Sequence, residues 1–443
     1  MEVLYNLQEL YRRFCPRGPS GDPLNKEELD RLVDETIEGY GSYISSAMAR
    51  LYRFMGLTTL EWAGRGAVVI DIYGREYIDC HGCNGTIFHG RGHPKILEAV
   101  HAQLEQLTIS SRILPHKPMV DLARLLAEVA PGDLQYTFFA NSGTEAVEGA
   151  LKLARAYTRR PHFVAAVKAF HGKSFGSLSA SGRELYREPF YPLLPDFTHV
   201  PFGDAAAIEQ AIREDTAAVI LEPIQGEAGV VVPPDDYLPR VREICDRKGI
   251  LLILDEVQTG LGRTGKLFAS EHYGVVPDIM TLAKILGGGV MPIGAFMARP
   301  HIFEFFDANP YIHSSTFGGN PLACAAGLAA LRVTLEEGLV EEAARKGDYL
   351  LAGLRRIQAR YPRVVGEVRG KGLMAGLEMT KDGVGGVVIA ALVEQGVLAI
   401  HSLNNERVIR MLPPAVIEMA QLDRALAAME TAVAGAERVF DQL

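Results

Sequence analysis

Between about residue 95 and residue 300, short apolar runs alternate with longer amphipathic segments. This alternation limits the fold of the chain more than any other feature. YTFFA (136–140), HFVAAV (162–167), AAVILEP (217–223) and ILLILDE (250–256) are each too short for a helix and nearly free of polar breaks. Such runs are strands buried on both faces. Between and before them come ILEAVHAQLEQL (96–107), MVDLARLLAEVA (119–130), EAVEGALKLARAY (145–157) and YLPRVREICDRKG (237–249), all with helical spacing. Strands separated by helices predict an α/β domain with a largely parallel sheet. After about residue 330 the texture changes. GLVEEAARKGDYLLAGLRRIQARYP (338–362) reads as a long helix, and GEVRGKGLMAGLEM (366–379) and VIRMLPP (408–414) read as strands. That pattern predicts a smaller α+β domain. At the other end, residues 1–50 read as amphipathic helix broken at CPRGPSGDP (15–23), and AVVIDIYGREYIDC (67–80) reads as a hairpin around Tyr73-Gly74. The expected division is an N-terminal extension over 1–75, a large domain over 76–330 and a small domain over 331–443.

A chain of 443 residues can build a large core, and a net charge of −9 argues against a general nucleic-acid binder. No run approaches the ~18 apolar residues a membrane-spanning helix needs. The N-terminus lacks the basic-then-apolar layout of a signal peptide. No membrane partner is expected, and a reducing cytoplasm is the default location. The five cysteines, Cys15, Cys80, Cys83, Cys245 and Cys324, are too sparse for a disulfide framework. Cys80 and Cys83 have CxxC spacing but no second such pair, so no metal site is expected.

One lysine stands out. IMTLAKILGGGVMPIGAF (279–296) holds a single charged residue, Lys284. A buried, unpaired ammonium tends to lose its proton, and a neutral amine attacks carbonyl groups. Asp255 ends the run ILLILD, where ligands sit in open α/β sheets, although a strand-terminal Asp can also be a cap. Asn141, Ser142, Gly143 and Thr144 form a small polar turn before a helix, either an anion site or an ordinary cap. Phe170 and His171 precede a glycine; an aromatic there could stack on a flat ring or simply pack in the core. Ser315 and Thr316 precede Gly-Gly-Asn-Pro and offer a second possible anion site. Taken together these residues suit a ligand with a phosphate, a flat ring bearing a basic nitrogen, and an aldehyde. Pyridoxal 5′-phosphate is that ligand. GLGRTGK (260–266) imitates two nucleotide-binding patterns but satisfies neither. Leu267 occupies the place of the magnesium-binding hydroxyl, and no acidic residue follows at the dinucleotide spacing.

ANSGTEAVEGALKLAR, FHGKSFGSLS, LEPIQGEAGVVVP, LILDEVQTGLGRTGKLFASEH, PDIMTLAKILGGGVMPIGA and HSSTFGGNPLACAA, in this order, resemble the class III aminotransferases over most of residues 65–440. The resemblance implies a fold-type I pyridoxal-phosphate transferase: a large α/β domain with a mostly parallel seven-stranded sheet, plus a smaller α+β domain. It implies that Lys284 is the Schiff-base lysine and that Asp255 holds the pyridine nitrogen. Gln258 would lie beside the ring hydroxyl and Phe170, followed by His171, would stack on the ring. Ser142, Gly143 and Thr144 would bind phosphate. Thr316 would reach the phosphate of the neighbouring subunit, which implies a homodimer with shared sites; dimers could pair further into tetramers.

A transaminase must admit an amine and a keto acid to one pocket, and a keto acid needs a cation for its carboxylate. Arg410 matches the family's α-carboxylate arginine, and Glu222 is assigned as the glutamate that pairs with it when no carboxylate is present. A permanent structural salt bridge is the other reading of such a pair. Relatives that handle acetylornithine read Phe-His-Gly-Arg-Thr where this chain has Phe170-His171-Gly172-Lys173-Ser174. The change favours a donor without a carboxylate. An aliphatic diamine, putrescine or cadaverine, with 2-oxoglutarate as acceptor, is therefore expected. Ornithine, 4-aminobutyrate, a β-amino acid or an aromatic amine are the alternative donors. The segment 80–94 departs from the family pattern, and Ile87 and Phe88 are expected to line the pocket.

Overall fold

The computed structural model describes residues 7–18, 20–54 and 58–442. Its centre is a seven-stranded sheet. In chain order the strands are β1 (Tyr136–Ala140), β2 (His162–Ala166), β3 (Phe197–Val200), β4 (Thr216–Leu221), β5 (Leu251–Asp255), β6 (Ile279–Leu282) and β7 (Gly294–Ala298). Their spatial order is β1-β7-β6-β5-β4-β2-β3. Only β7 runs antiparallel to its neighbours, so the expected mostly parallel sheet is present. Every residue of β2, β4, β5, β6 and β7 is buried, which accounts for their apolar runs without alternation. Helix Gly143–Thr158 covers one face, packing Val147, Ala150 and Leu151 with Phe163 and Phe296. Helices Ala205–Ala211 and Tyr237–Lys248 cover the other, with Ile208, Leu238 and Val241 against Val219 and Leu252.

The parallel direction has one consequence that matters most. The carboxyl ends of β1, β4, β5 and β6 lie along one edge, so the residues that follow them converge there. Asn141 and Glu222 directly follow β1 and β4, Asp255 is the last residue of β5, and Lys284 lies two residues past β6.

The smaller unit draws on both ends of the chain. The hairpin Val68–Asp71/Glu76–Asp79 forms as expected, turning at Gly74 with φ +83°. It pairs with Glu61–Arg65 on one side and, in parallel, with Val397–Leu398 from far along the sequence on the other. A second sheet joins Val365–Lys371, Met374–Met379, Asn405–Met411 and Ile400–Ser402. The long helix Leu339–Arg360 and helix Met419–Arg438 bury Leu350, Leu354, Leu422 and Met429 in the same core. Before the hairpin, helices Leu7–Phe14 and Lys26–Tyr43 are separated at the Pro/Gly stretch, and helix Ser46–Phe54 follows after Ile44 and Ser45. Asn25 starts the second of them, in a reciprocal capping box with Glu28. The first six residues of the chain, part of the expected helical stretch, lie outside the described residues.

Candidate active site

A cavity of about 640 Å³ opens at the carboxyl edge of the sheet. Ser142, Gly143, Thr144, Phe170, His171, Glu222, Asp255, Gln258 and Lys284 all line it. The sequence had singled out each of these.

Lys284 lies two residues past the end of β6, after Ala283, in a left-handed backbone conformation with φ +48°. A non-glycine residue there stores roughly 1 kcal/mol or more, which only a well-determined surrounding sustains. Burial drives the Lys284 amine below its ordinary value, and Arg410 adds to the shift; Glu227, Asp255 and Glu222 oppose it. The result is an amine that gives up its proton more readily than an exposed lysine.

Asp255 is braced from two sides. Its Oδ1 accepts from Thr281 Oγ1 at 3.0 Å and from the Val257 N–H at 3.1 Å, and its Oδ2 lies 2.7 Å from His171 Nδ1. Burial alone would lower His171, but the hydrogen bond and charge of Asp255, helped by Glu222, raise it above its ordinary value. The other imidazole nitrogen, Nε2, is buried without a partner among the described residues.

The helix beginning at Gly143 points its free N–H groups at the cavity, with Ser142 as cap. A side chain at Gly143 would approach Val257 to 2.9 Å, so glycine is what allows the helix to start this close to β5. Thr144 Oγ1 lies 2.8 Å from Ser174 Oγ and 2.6 Å from Ser177 Oγ.

Three sequence assignments change. Glu222 does not meet Arg410. Its two oxygens accept the N–H groups of Phe170 and Gly226, each at 3.0 Å, and burial pushes its carboxyl up to about 7. The chain then reverses through Gly226–Gly229, with Gln225 bridged to Val231, and the turn carries Glu227 across to Arg410. Glu227 is buried, which would raise its pKa, yet Arg410 and Lys284 hold it below the ordinary value. The second and third changes concern Ile87 and Phe88, which are 7% and 0% exposed and do not line the cavity. Gly82, Cys83, Asn84 and Gly85 all have positive φ, and this tight turn leaves Thr86 facing the cavity while the next two side chains point into the core. The Phe88 ring lies 5.0 Å from the Arg263 guanidinium.

Arg410 is 1% exposed. Besides Glu227, it donates to Asn84 Oδ1 at 3.0 Å and to Gln258 Oε1 at 3.4 Å. Gln258 in turn donates to the Asn84 carbonyl at 3.1 Å. Asn84 and Glu227 were missed from sequence; the second glutamate of LEPIQGE was the only available signal for either. Thr316 is not at this cavity. It is exposed and lines a separate hollow of about 320 Å³ with Arg112, Ile113 and His116. The GLGRTGK segment builds no nucleotide loop, because Arg263 and Thr264 are buried.

These residues fit pyridoxal phosphate: an easily neutralised amine for the aldehyde, a fixed carboxylate for the ring nitrogen, and a helix start for the phosphate. The profile of the class III aminotransferases matches residues 57–433, and the chain belongs to that family. It is a pyridoxal-phosphate-dependent aminotransferase. Among its relatives is a putrescine aminotransferase of Pectobacterium atrosepticum, 46% identical over 421 residues, covering 91% of this chain and 90% of the relative. An ornithine aminotransferase structure from Toxoplasma gondii superposes with TM-score 0.83 at 33% identity, covering 92% of this chain and 99% of that one. An (S)-enantioselective omega-transaminase from Thermomicrobium roseum gives TM-score 0.85 at 33% identity, over 94% and 100% of the two chains. Among the described residues no helix is long and apolar enough to cross a membrane.

Proposed function

We propose that the enzyme moves a terminal amino group from an aliphatic diamine, putrescine or cadaverine, to 2-oxoglutarate in two alternating half-reactions. The observation that carries this reading is the Arg410–Glu227 pair beside Lys284. With the pair closed, the far wall presents no free cation, which suits a donor whose distal end is an amine. With it open, Arg410 offers a planar fork to a carboxylate. The 46% identity to a putrescine aminotransferase supports the same donor.

Pyridoxal phosphate, when bound, supplies the carbonyl that takes up the amino group and a ring that delocalises the electrons of the breaking C–H bond. The chain does the rest. Lys284 Nζ, once freed, removes a proton from the donor carbon and returns it elsewhere. Asp255 holds a proton on the ring nitrogen, and His171 and Thr281 keep its carboxylate aimed. Gln258 would sit beside the ring hydroxyl, and Phe170 would pack on the ring face. Ser142, Gly143 and Thr144 hold the phosphate, assisted by Thr316 of a second subunit. On this reading the enzyme is a cytoplasmic homodimer with shared sites, able to pair into a tetramer. Each chain divides into an extension (1–75), a large domain (76–330) and a small domain (331–443).

A donor bearing a carboxylate, such as ornithine, is the second reading. It is favoured by Lys173, a cationic residue in the cavity lining, with its ammonium 4.5 Å from the Tyr186 ring. Visible absorption separates the two. Putrescine should bleach the band of the purified enzyme and 2-oxoglutarate should restore it. Bleaching by ornithine or 4-aminobutyrate but not by a diamine would select the second reading.

A further inference from the structure

Arg263 is fully buried, yet among the described residues it pairs with no carboxylate. Its hydrogen bonds all go to backbone carbonyls: Leu373 at 3.0 Å, Pro413 at 2.6 Å and Gly85 at 3.2 Å. A guanidinium in such a place carries a large desolvation cost, and a long apolar side chain would fill the volume without it. The three carbonyls are distant in sequence, but they frame one side chain. Gly85 follows Asn84, whose Oδ1 accepts from Arg410. Leu373 leads into Met374–Met379, in which Gly376 is the cross-strand partner of Arg410. Pro413 lies just beyond Met411, where the strand that bears Arg410 ends. Backbone bonds reinforce the same junctions: Leu373 N–H donates to the Arg263 carbonyl at 3.1 Å, and Ala415 N–H to that of Phe88 at 2.8 Å.

We propose that Arg263 is a positioning residue for Arg410. Its rigid fork ties together the three segments that frame Arg410 against Glu227, which lines the cavity, and it therefore sets recognition of the carboxylate-bearing substrate rather than the chemistry at Lys284. Lysine cannot take over this task, because a single ammonium on a flexible stem cannot hold three carbonyls in the directions a planar fork does. The inference rests on the aminotransferase reading with Arg410 as the carboxylate site.

The test uses the holoenzymes of Arg263→Lys and Phe88→Leu, the second removing only the ring beneath the guanidinium. The two half-reactions are followed separately by the visible band: bleaching by diamine, and recovery with 2-oxoglutarate or with an aliphatic aldehyde that has no carboxylate. In Arg263→Lys the 2-oxoglutarate concentration giving half-maximal recovery should rise about tenfold or more, with Phe88→Leu shifted the same way by less. The diamine and aldehyde constants should stay within about twofold of wild type. Equal losses with all three substrates, or an unchanged 2-oxoglutarate constant in a folded variant, would overturn the proposal. If Arg263→Lys does not fold, Phe88→Leu decides alone, and an unchanged constant there overturns it. A wild-type enzyme that diamine and 2-oxoglutarate leave untouched would instead refute the functional reading.

Discussion

His171 Nδ1 lies 2.7 Å from Asp255 Oδ2, and neither side chain is open to bulk water. The bond joins the residue before Gly172 to the end of β5, so the carboxylate is held from the side opposite its Thr281 contact. Because Asp255 raises His171 above the ordinary imidazole value, the folded state binds this proton more tightly than the unfolded chain does. The stability it contributes is complete below the unfolded value and fades as pH rises through the folded one. A buried bond to a charged group is worth about 1.5–3 kcal/mol. Thermal melts of the cofactor-free wild type and His171→Asn, from about pH 5.5 to about pH 9, should show a gap that narrows upward. A gap that stays constant across the range would mean the bond carries no extra proton.

Lys284→Ala should lower turnover by at least about a thousandfold and remove the visible band. In the wild type, the rate at which cofactor-free enzyme takes up pyridoxal phosphate should rise with pH and level off below the 10.5 of an ordinary lysine, since burial depresses this amine. Retained turnover in the variant would remove Lys284 from the chemistry.

Glu227→Gln leaves the shape of the wall but takes away the charge that occupies Arg410. The half-saturating 2-oxoglutarate concentration should fall several-fold, and glutamate should improve as a donor relative to putrescine by about tenfold. Glu222→Gln should not alter this ratio, because Glu222 faces the N–H groups of Phe170 and Gly226 instead. Matching shifts in both variants would show that the distinction between the two glutamates is wrong.

Thr316→Ala should weaken cofactor binding about ten- to a hundredfold, the worth of one hydrogen bond to a charged group. In dimers mixed from Thr316→Ala and Lys284→Ala chains, the proposed shared site predicts that the site keeping its lysine regains wild-type affinity, with Thr316 supplied by the other chain. No recovery in the mixed dimer would put Thr316 outside the shared site.

Much of this was legible because parallel β-strands bury both faces. Runs such as AAVIL and LLILD have no alternative place in a globular fold, and the residues after them fall on one edge by topology alone. Lys284 and Asp255 could thus be placed before any coordinates were known. Glu222 and Glu227 could not be told apart, since both sit in one motif and only the reversal at Gly226–Gly229 decides which crosses to Arg410. Ile87 and Phe88 were misjudged for a similar reason. Four successive positive-φ residues reorient the chain, and no periodicity survives such a turn. Asn84 was invisible because its partner lies in a strand that arrives from the far end of the sequence.

Arg410, the partner of the cavity-lining Glu227, lies in Asn405–Met411, whereas Asp255 ends β5 and Lys284 lies two residues past β6, both much earlier in the chain. On the ribosome, Asp255 and Lys284 emerge first, and Arg410 comes among the last segments made. On the proposed reading, chemistry and selectivity are thus assembled at different moments of the protein's synthesis.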